Sequence, residues 1–201
     1  MSGTNLDENA AREVAANWAI ARGRLPPKFQ SFAVEHLRLY PNTDQGNLEV
    51  HLHFFDLATE DAKAQWNKYC HAQTNWSGEW MLETVKHLAI INAAGIAGAA
   101  TLLATQGADG WVKFAFCFFT FGLMLSVLDL WLCACGFQAR SEEGNRRFVK
   151  ARDSVSWQQW SKSLDPVLHG KKWFKIAERV GWTAAVLWVA AASSLGVHLF
   201  K

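Results

Sequence analysis

Three long apolar stretches, residues 88–106, 114–137 and 180–200, stand out against a polar N-terminal third and a charged connection. About 20 helical residues at about 1.5 Å each cross the hydrocarbon core of a bilayer, so each stretch predicts a transmembrane helix. The preceding third changes period twice. Residues 7–22 place Val14 and Trp18, with Ala11 and Ala21, on one side of a short amphipathic helix. Pro26 and Pro27 end that helix, since proline cannot continue the hydrogen-bond ladder. Residues 31–40 and 47–56 then alternate around a turn-rich segment beginning at Pro41, which predicts a β-hairpin. Phe32, Val34, His36, Arg38 and Tyr40 share one face of its first strand. From Thr59 onward a helical period returns, with Asp56 or Thr59 as its cap. Trp66, Tyr69, Gln73, Trp76 and Trp80 form an aromatic stripe on this helix. The stripe lies either at headgroup level or against the later cytoplasmic helix. The distance of Trp66 from the bilayer favours the second, and a bend at Gly78 would let Trp76 and Trp80 serve both.

The expected fold class is a mainly α membrane protein: three transmembrane helices, cytoplasmic helical extensions and a small N-terminal β-hairpin. The chain divides into residues 1–58 (cytoplasmic helix and hairpin), 59–87 (cytoplasmic or interfacial helix) and 88–137 (a transmembrane hairpin, 88–106 and 114–137). Residues 138–179 (cytoplasmic amphipathic helices) and 180–201 (the third transmembrane helix) complete it.

The mean hydropathy of −0.03 hides this organisation, because polar segments dilute the apolar ones. Charge placement adds an orientation. Eight Lys and Arg precede residue 88 and ten lie between Arg140 and Arg179, whereas Lys113 and Lys201 stand alone on the other side. Basic residues collect on the cytoplasmic side, so the N-terminus faces the cytoplasm of an inner membrane and the C-terminus faces outward. Trp111, Trp131, Trp173 and Trp182 fall near the expected boundaries. No charged n-region with a cleavage site opens the sequence, so the first apolar stretch is expected to act as the insertion signal. A net charge of +2 gives no reason to expect nucleic-acid binding.

Asp129 is the most suggestive residue, because a carboxylate within an apolar span is costly unless it faces a bundle interior or water. With Ser126, and Asn92 of the first span, it is a candidate for a polar path or a ring at an oligomer axis. The alternative is that Asp129 snorkels or pairs with a basic residue of the connection. His198 is expected to be solvated. Ala94 with Gly98, and Gly95 with Ala99, have the small-xxx-small spacing that lets helices approach closely. His36, His51 and His53 are weak metal candidates, since a tetrahedral site lacks a fourth ligand, His71 being remote; a solvated polar face is the plainer expectation. Cys117, Cys133 and Cys135 lie in the second span and Cys70 outside it, which suits apolar packing better than a metal or disulfide framework. Lys171, Lys172 and Lys175 with Trp173 and Phe174 suggest re-entry into the interface, where basic groups meet anionic headgroups.

No Gly-rich phosphate loop, nucleophile elbow, Cys-x-x-Cys or His-Glu-x-x-His occurs, so neither an enzyme nor a cofactor is expected. A cytoplasmic helix entering a two-span hairpin and leaving through a second cytoplasmic helix, over about residues 59–165, resembles the SLATT-type membrane effectors of bacterial defence systems. The β-hairpin and third span depart from that pattern. The resemblance implies a homo-oligomer that breaches the membrane on a signal, a channel or pore gated by its cytoplasmic region in antiviral defence. The alternative is a non-catalytic accessory or anchoring subunit of a larger membrane complex. Partners on either reading are the lipid bilayer, further copies of the chain and a cytoplasmic protein.

Overall fold

A computed structural model describes residues 5–106 and 109–200, with side chains except at positions 77, 78, 80–82, 84–86, 89 and 106. The described residues are all-helical: α1 (Glu8–Ala21), α2 (Pro26–Leu39), α3 (Gln45–Gln106), α4 (Gly110–Asp153), α5 (Trp157–Ser163) and α6 (Lys171–Leu199). They contain no strand, so the expected hairpin is replaced by α2 and the start of α3. The physical reason lies in a second period in the same residues. Phe29, Phe32, Ala33, His36 and Leu37 recur at three and four, as do Leu48, Leu52 and Phe55, and all are buried. The alternation is coincident with that stripe.

Local signals agree with the helical outcome. Asp7 caps α1 by accepting from the Ala10 N–H at 2.7 Å. Gly23, at φ 66, closes it, its N–H bonding the Ile20 carbonyl while Arg24 N–H bonds that of Ala19. The two prolines lie beyond the end of α1 and begin α2, where a missing N–H costs nothing and a fixed φ is already helical. Asp44 Oδ1 accepts from the Asn47 N–H at 2.8 Å, so α3 starts well before Asp56 or Thr59.

Two compact units result. The first, Met1–His71 with Glu142–Val167, has a core of large side chains. Phe32 stacks on Phe55 at 4.1 Å, Trp157 meets Phe55 edge-on at 5.3 Å, and Trp18 tilts against Phe29 at 5.1 Å. Trp160 donates its indole N–H to the Ala58 carbonyl at 3.0 Å, so both tryptophans of α5 belong to this unit's packing. Buried Arg147 closes the same unit. It donates to Glu143 at 2.8 Å and to the carbonyls of Ser163, Asp165 and Pro166, and its guanidinium lies 5.5 Å from the Trp66 ring centre. Gly144 sits so close to α3 that a Cβ would come within 2.7 Å of Cys70 Sγ and 3.2 Å of Tyr69. The Trp66 and Tyr69 part of the stripe, with neighbouring Cys70, therefore packs on the later helix. Trp76 is exposed, and Gly78 and Trp80 lie outside the described residues.

The second unit, Ala72–Ser141 with Leu168–Lys201, holds the apolar stretches. Among the described residues two helices, α4 and α6, are long and apolar enough to cross a membrane. The expected first span is not among them: in α3 the apolar segment within the described residues is Ile90–Thr105.

Candidate functional site: polar groups among apolar helices

The apolar segments of α3, α4 and α6 meet through small residues, which lets their backbones come close. A Cβ on Gly95 would lie 2.6 Å from the Phe119 ring, so α3 needs glycine there. Ala99 is fully buried one turn on. Gly98 has no neighbour within 4 Å and Ala94 is exposed, so the two small-xxx-small pairs point different ways. One pair packs inside the unit. The other is open on its surface.

At this seam the structure brings together the intramembrane polar residues expected from sequence. Asn92 is 1% exposed and donates to the Leu88 carbonyl at 2.9 Å, leaving its Oδ1 without a partner among the described residues. A Cβ on Gly122 would be 2.9 Å from that Oδ1 and 3.8 Å from the Ala184 carbonyl oxygen, so all three helices meet there. Buried Ser126 lies one turn along α4 and donates to the Gly122 carbonyl at 2.7 Å. Asp129 follows. Its Oδ2 would be 3.0 Å from a Cβ on Gly181 of α6, and the Cys133 thiol donates to its Oδ1 at 3.9 Å. Asn92, Ser126 and Asp129 thus lie along one side of α4, spread over about 10 Å of helix.

Six hydroxyls of this unit are satisfied within their own helices. Thr101, Thr105, Thr120, Ser126, Thr183 and Ser194 each donate to the carbonyl four residues back. Among the described residues of this unit the buried carbonyl oxygens of Asn92 and Gln73 have no hydrogen-bond partner, and the Asp129 carboxylate accepts only from the Cys133 thiol among the contacts described above. A buried acceptor without a partner costs about 1–3 kcal/mol. The contacts of Gly122 with Asn92 and of Gly181 with Asp129 are the part of the site least legible in the sequence. Their signal is only a small residue facing a polar one, and it requires knowing which helices are neighbours.

At the far end of this unit His198 is not simply solvated: its Nδ1 lies 2.7 Å from Asp109 Oδ2, tying the end of α6 to the start of α4. The His198 hydrogen bond holds the Asp109 carboxyl below its usual range.

The hairpin histidines lie in the first unit. His36 and His51 rings are 4.4 Å apart, with His36 buried between Phe32 at 5.9 Å and Tyr40 at 4.9 Å. Both ring nitrogens of His36 lack a hydrogen-bond partner among the described residues. Burial first, and the neighbouring His51 second, push its pKa down to about 4. The expected solvated face is therefore corrected for His36, which faces the core because α2 is a helix. His53 is exposed beside Phe54 at 6.3 Å, and no set of three ligating side chains converges among the described residues.

Comparison with family models, curated proteins and solved structures returned no match.

Proposed function

We propose that this chain is an oligomeric integral membrane protein acting as a channel- or pore-type effector gated by its cytoplasmic residues, as its resemblance to SLATT-type defence effectors implies. The carrying observation is the inverted distribution in the second unit, where Asn92 and Ser126 are buried while Phe114, Phe121, Met124 and Trp182 face outward. Only 22% and 17% of the apolar windows of α4 and α6 are buried, whereas a soluble core helix would hide most of its surface. Lipid is the solvent that suits such a surface. The basic residues before residue 88 and from Arg140 to Arg179 favour the cytoplasmic side of the inner membrane for those segments. The open Ala94 and Gly98 face supports close approach by a second copy. Asn92 and Asp129 supply the acceptors an ion or water path needs.

Reconstitution of the full chain in dye-loaded liposomes tests the reading. Flux is expected, and Asp129→Asn lowers it by about tenfold or more, as removal of a selectivity carboxylate should. Native mass spectrometry should give one closed homo-oligomer. Absence of flux from a monomer would instead favour a non-catalytic accessory or anchoring subunit. One observation supports that second reading: an open groove of about 660 Å³ in the first unit, lined by His51, Phe54, Leu57, Ala58, Asp61 and Trp157, suits a protein partner.

A further inference from the structure

The first turns of α6 carry Lys171, Lys172 and Lys175, all exposed, with no acidic residue in the first turn. Cations at the positive end of a helix dipole repel it and one another, so the arrangement is unfavourable until an anion arrives. Arg140 of α4 adjoins them. Gly170, at φ 84, is seated so tightly that a Cβ would lie 2.5 Å from the Gly136 carbonyl oxygen and 3.1 Å from Arg140 Cγ. That contact places the arginine stem beside the start of α6. Its guanidinium lies 4.5 Å from the Phe174 ring centre, and its Nε is buried with no hydrogen-bond partner among the described residues. None of the four cations forms an ion pair among the described residues. Next to them Trp131 and Trp173 meet edge-to-face at 6.2 Å, both exposed, as aromatic side chains do at the level of lipid headgroups.

We infer that this corner of α4 and α6 binds the headgroup of an anionic phospholipid. The phosphate accepts from Arg140 and the lysines, and the acyl chains cover the exposed tryptophan pair and Ile176. A free phosphate matches the charge but leaves that apolar surface bare, which is why a lipid is the occupant. The inference rests on the membrane-embedded reading of the second unit, and is independent of whether the protein conducts.

The test uses the full chain in mild detergent, with phosphatidylglycerol or phosphatidylcholine added and bound lipid counted by native mass spectrometry. Phosphatidylglycerol should be retained at least about tenfold more strongly than phosphatidylcholine. The triple variant Lys171→Gln, Lys172→Gln, Lys175→Gln should lose that preference with an unchanged circular dichroism spectrum, since the lysines are exposed, and Arg140→Gln should weaken it. Equal retention of the two lipids, or a preference untouched in the triple variant, overturns the inference. Displacement of phosphatidylglycerol by millimolar inorganic phosphate would overturn the choice of a lipid in favour of a free anion. Recovery of the chain soluble without detergent overturns the membrane reading itself, whereas the other negative results leave that reading standing.

Discussion

Phe32 is 1% exposed and stacked on Phe55, whereas Phe121 is 59% exposed, although both lie within well-formed helices. The same contrast runs through the two units. The first hides Trp18, Phe29, Leu48, Leu52 and Phe55 and leaves most of its charges at the surface, as a chain folding in water must. The second gathers alanine, glycine, asparagine and serine inside and turns Phe114, Met124, Val127 and Val186 outward. On the proposed membrane reading, what differs is the surroundings each unit is built for. In water the apolar surface drives packing, whereas in lipid packing relies on close backbone approach and polar contacts.

The sharpest way to break that contrast is to truncate one phenylalanine in each unit. Phe32→Ala should cost about 3–5 kcal/mol, read as a lower unfolding midpoint of the first unit, while Phe121→Ala should shift stability by about 0.5 kcal/mol or less. Equal losses would mean that the second unit also has a conventional core. Arg147→Ala comes next, at about 2–4 kcal/mol, since it strands carbonyls at Ser163, Asp165 and Pro166. Arg147→Lys should recover little, because one ammonium cannot serve a forked set of acceptors. Protease sensitivity near α5 would report the loss.

His36 supplies a prediction of similar or smaller size. With a folded pKa of about 4 against 6.5 unfolded, the unfolded state binds more protons between those values. Its contribution is fully present above pH 6.5 and is lost as pH falls through 4, to a total of about 3 kcal/mol. Denaturant midpoints measured from pH 7 to 4 should show that decline, and His36→Phe should flatten it. An unchanged slope in the variant would place the acid sensitivity elsewhere. The smallest effect separates the two small-residue pairs of α3. Gly95→Ala forces a methyl group against Phe119 and should cost about 1–2 kcal/mol, whereas Gly98→Ala should leave the protomer's stability unchanged. If both are silent, α3 does not pack on α4 as described.

Legibility in the sequence followed the range of the interaction. The apolar stretches of α4 and α6, the break at the two prolines and the cost of Asp129 within an apolar span are properties of residues near one another in the chain, so they could be read directly. The strand expected at residues 31–40 failed because Phe32, Val34 and His36 satisfy a period of two while Phe29, Phe32, Ala33 and His36 satisfy one of 3.6. Burial chooses between them, and burial depends on partners such as Phe55 and Trp157, which lie far along the chain. Likewise Arg147 and Gly181 carry no local mark. Their roles arise from carbonyls and side chains supplied by other segments. Sequence by itself determined that the protein is mainly helical, where its apolar helices run and which polar residues interrupt them. Only the tertiary structure decided which faces meet, because close packing and hydrogen-bond satisfaction belong to the surroundings that distant residues create together.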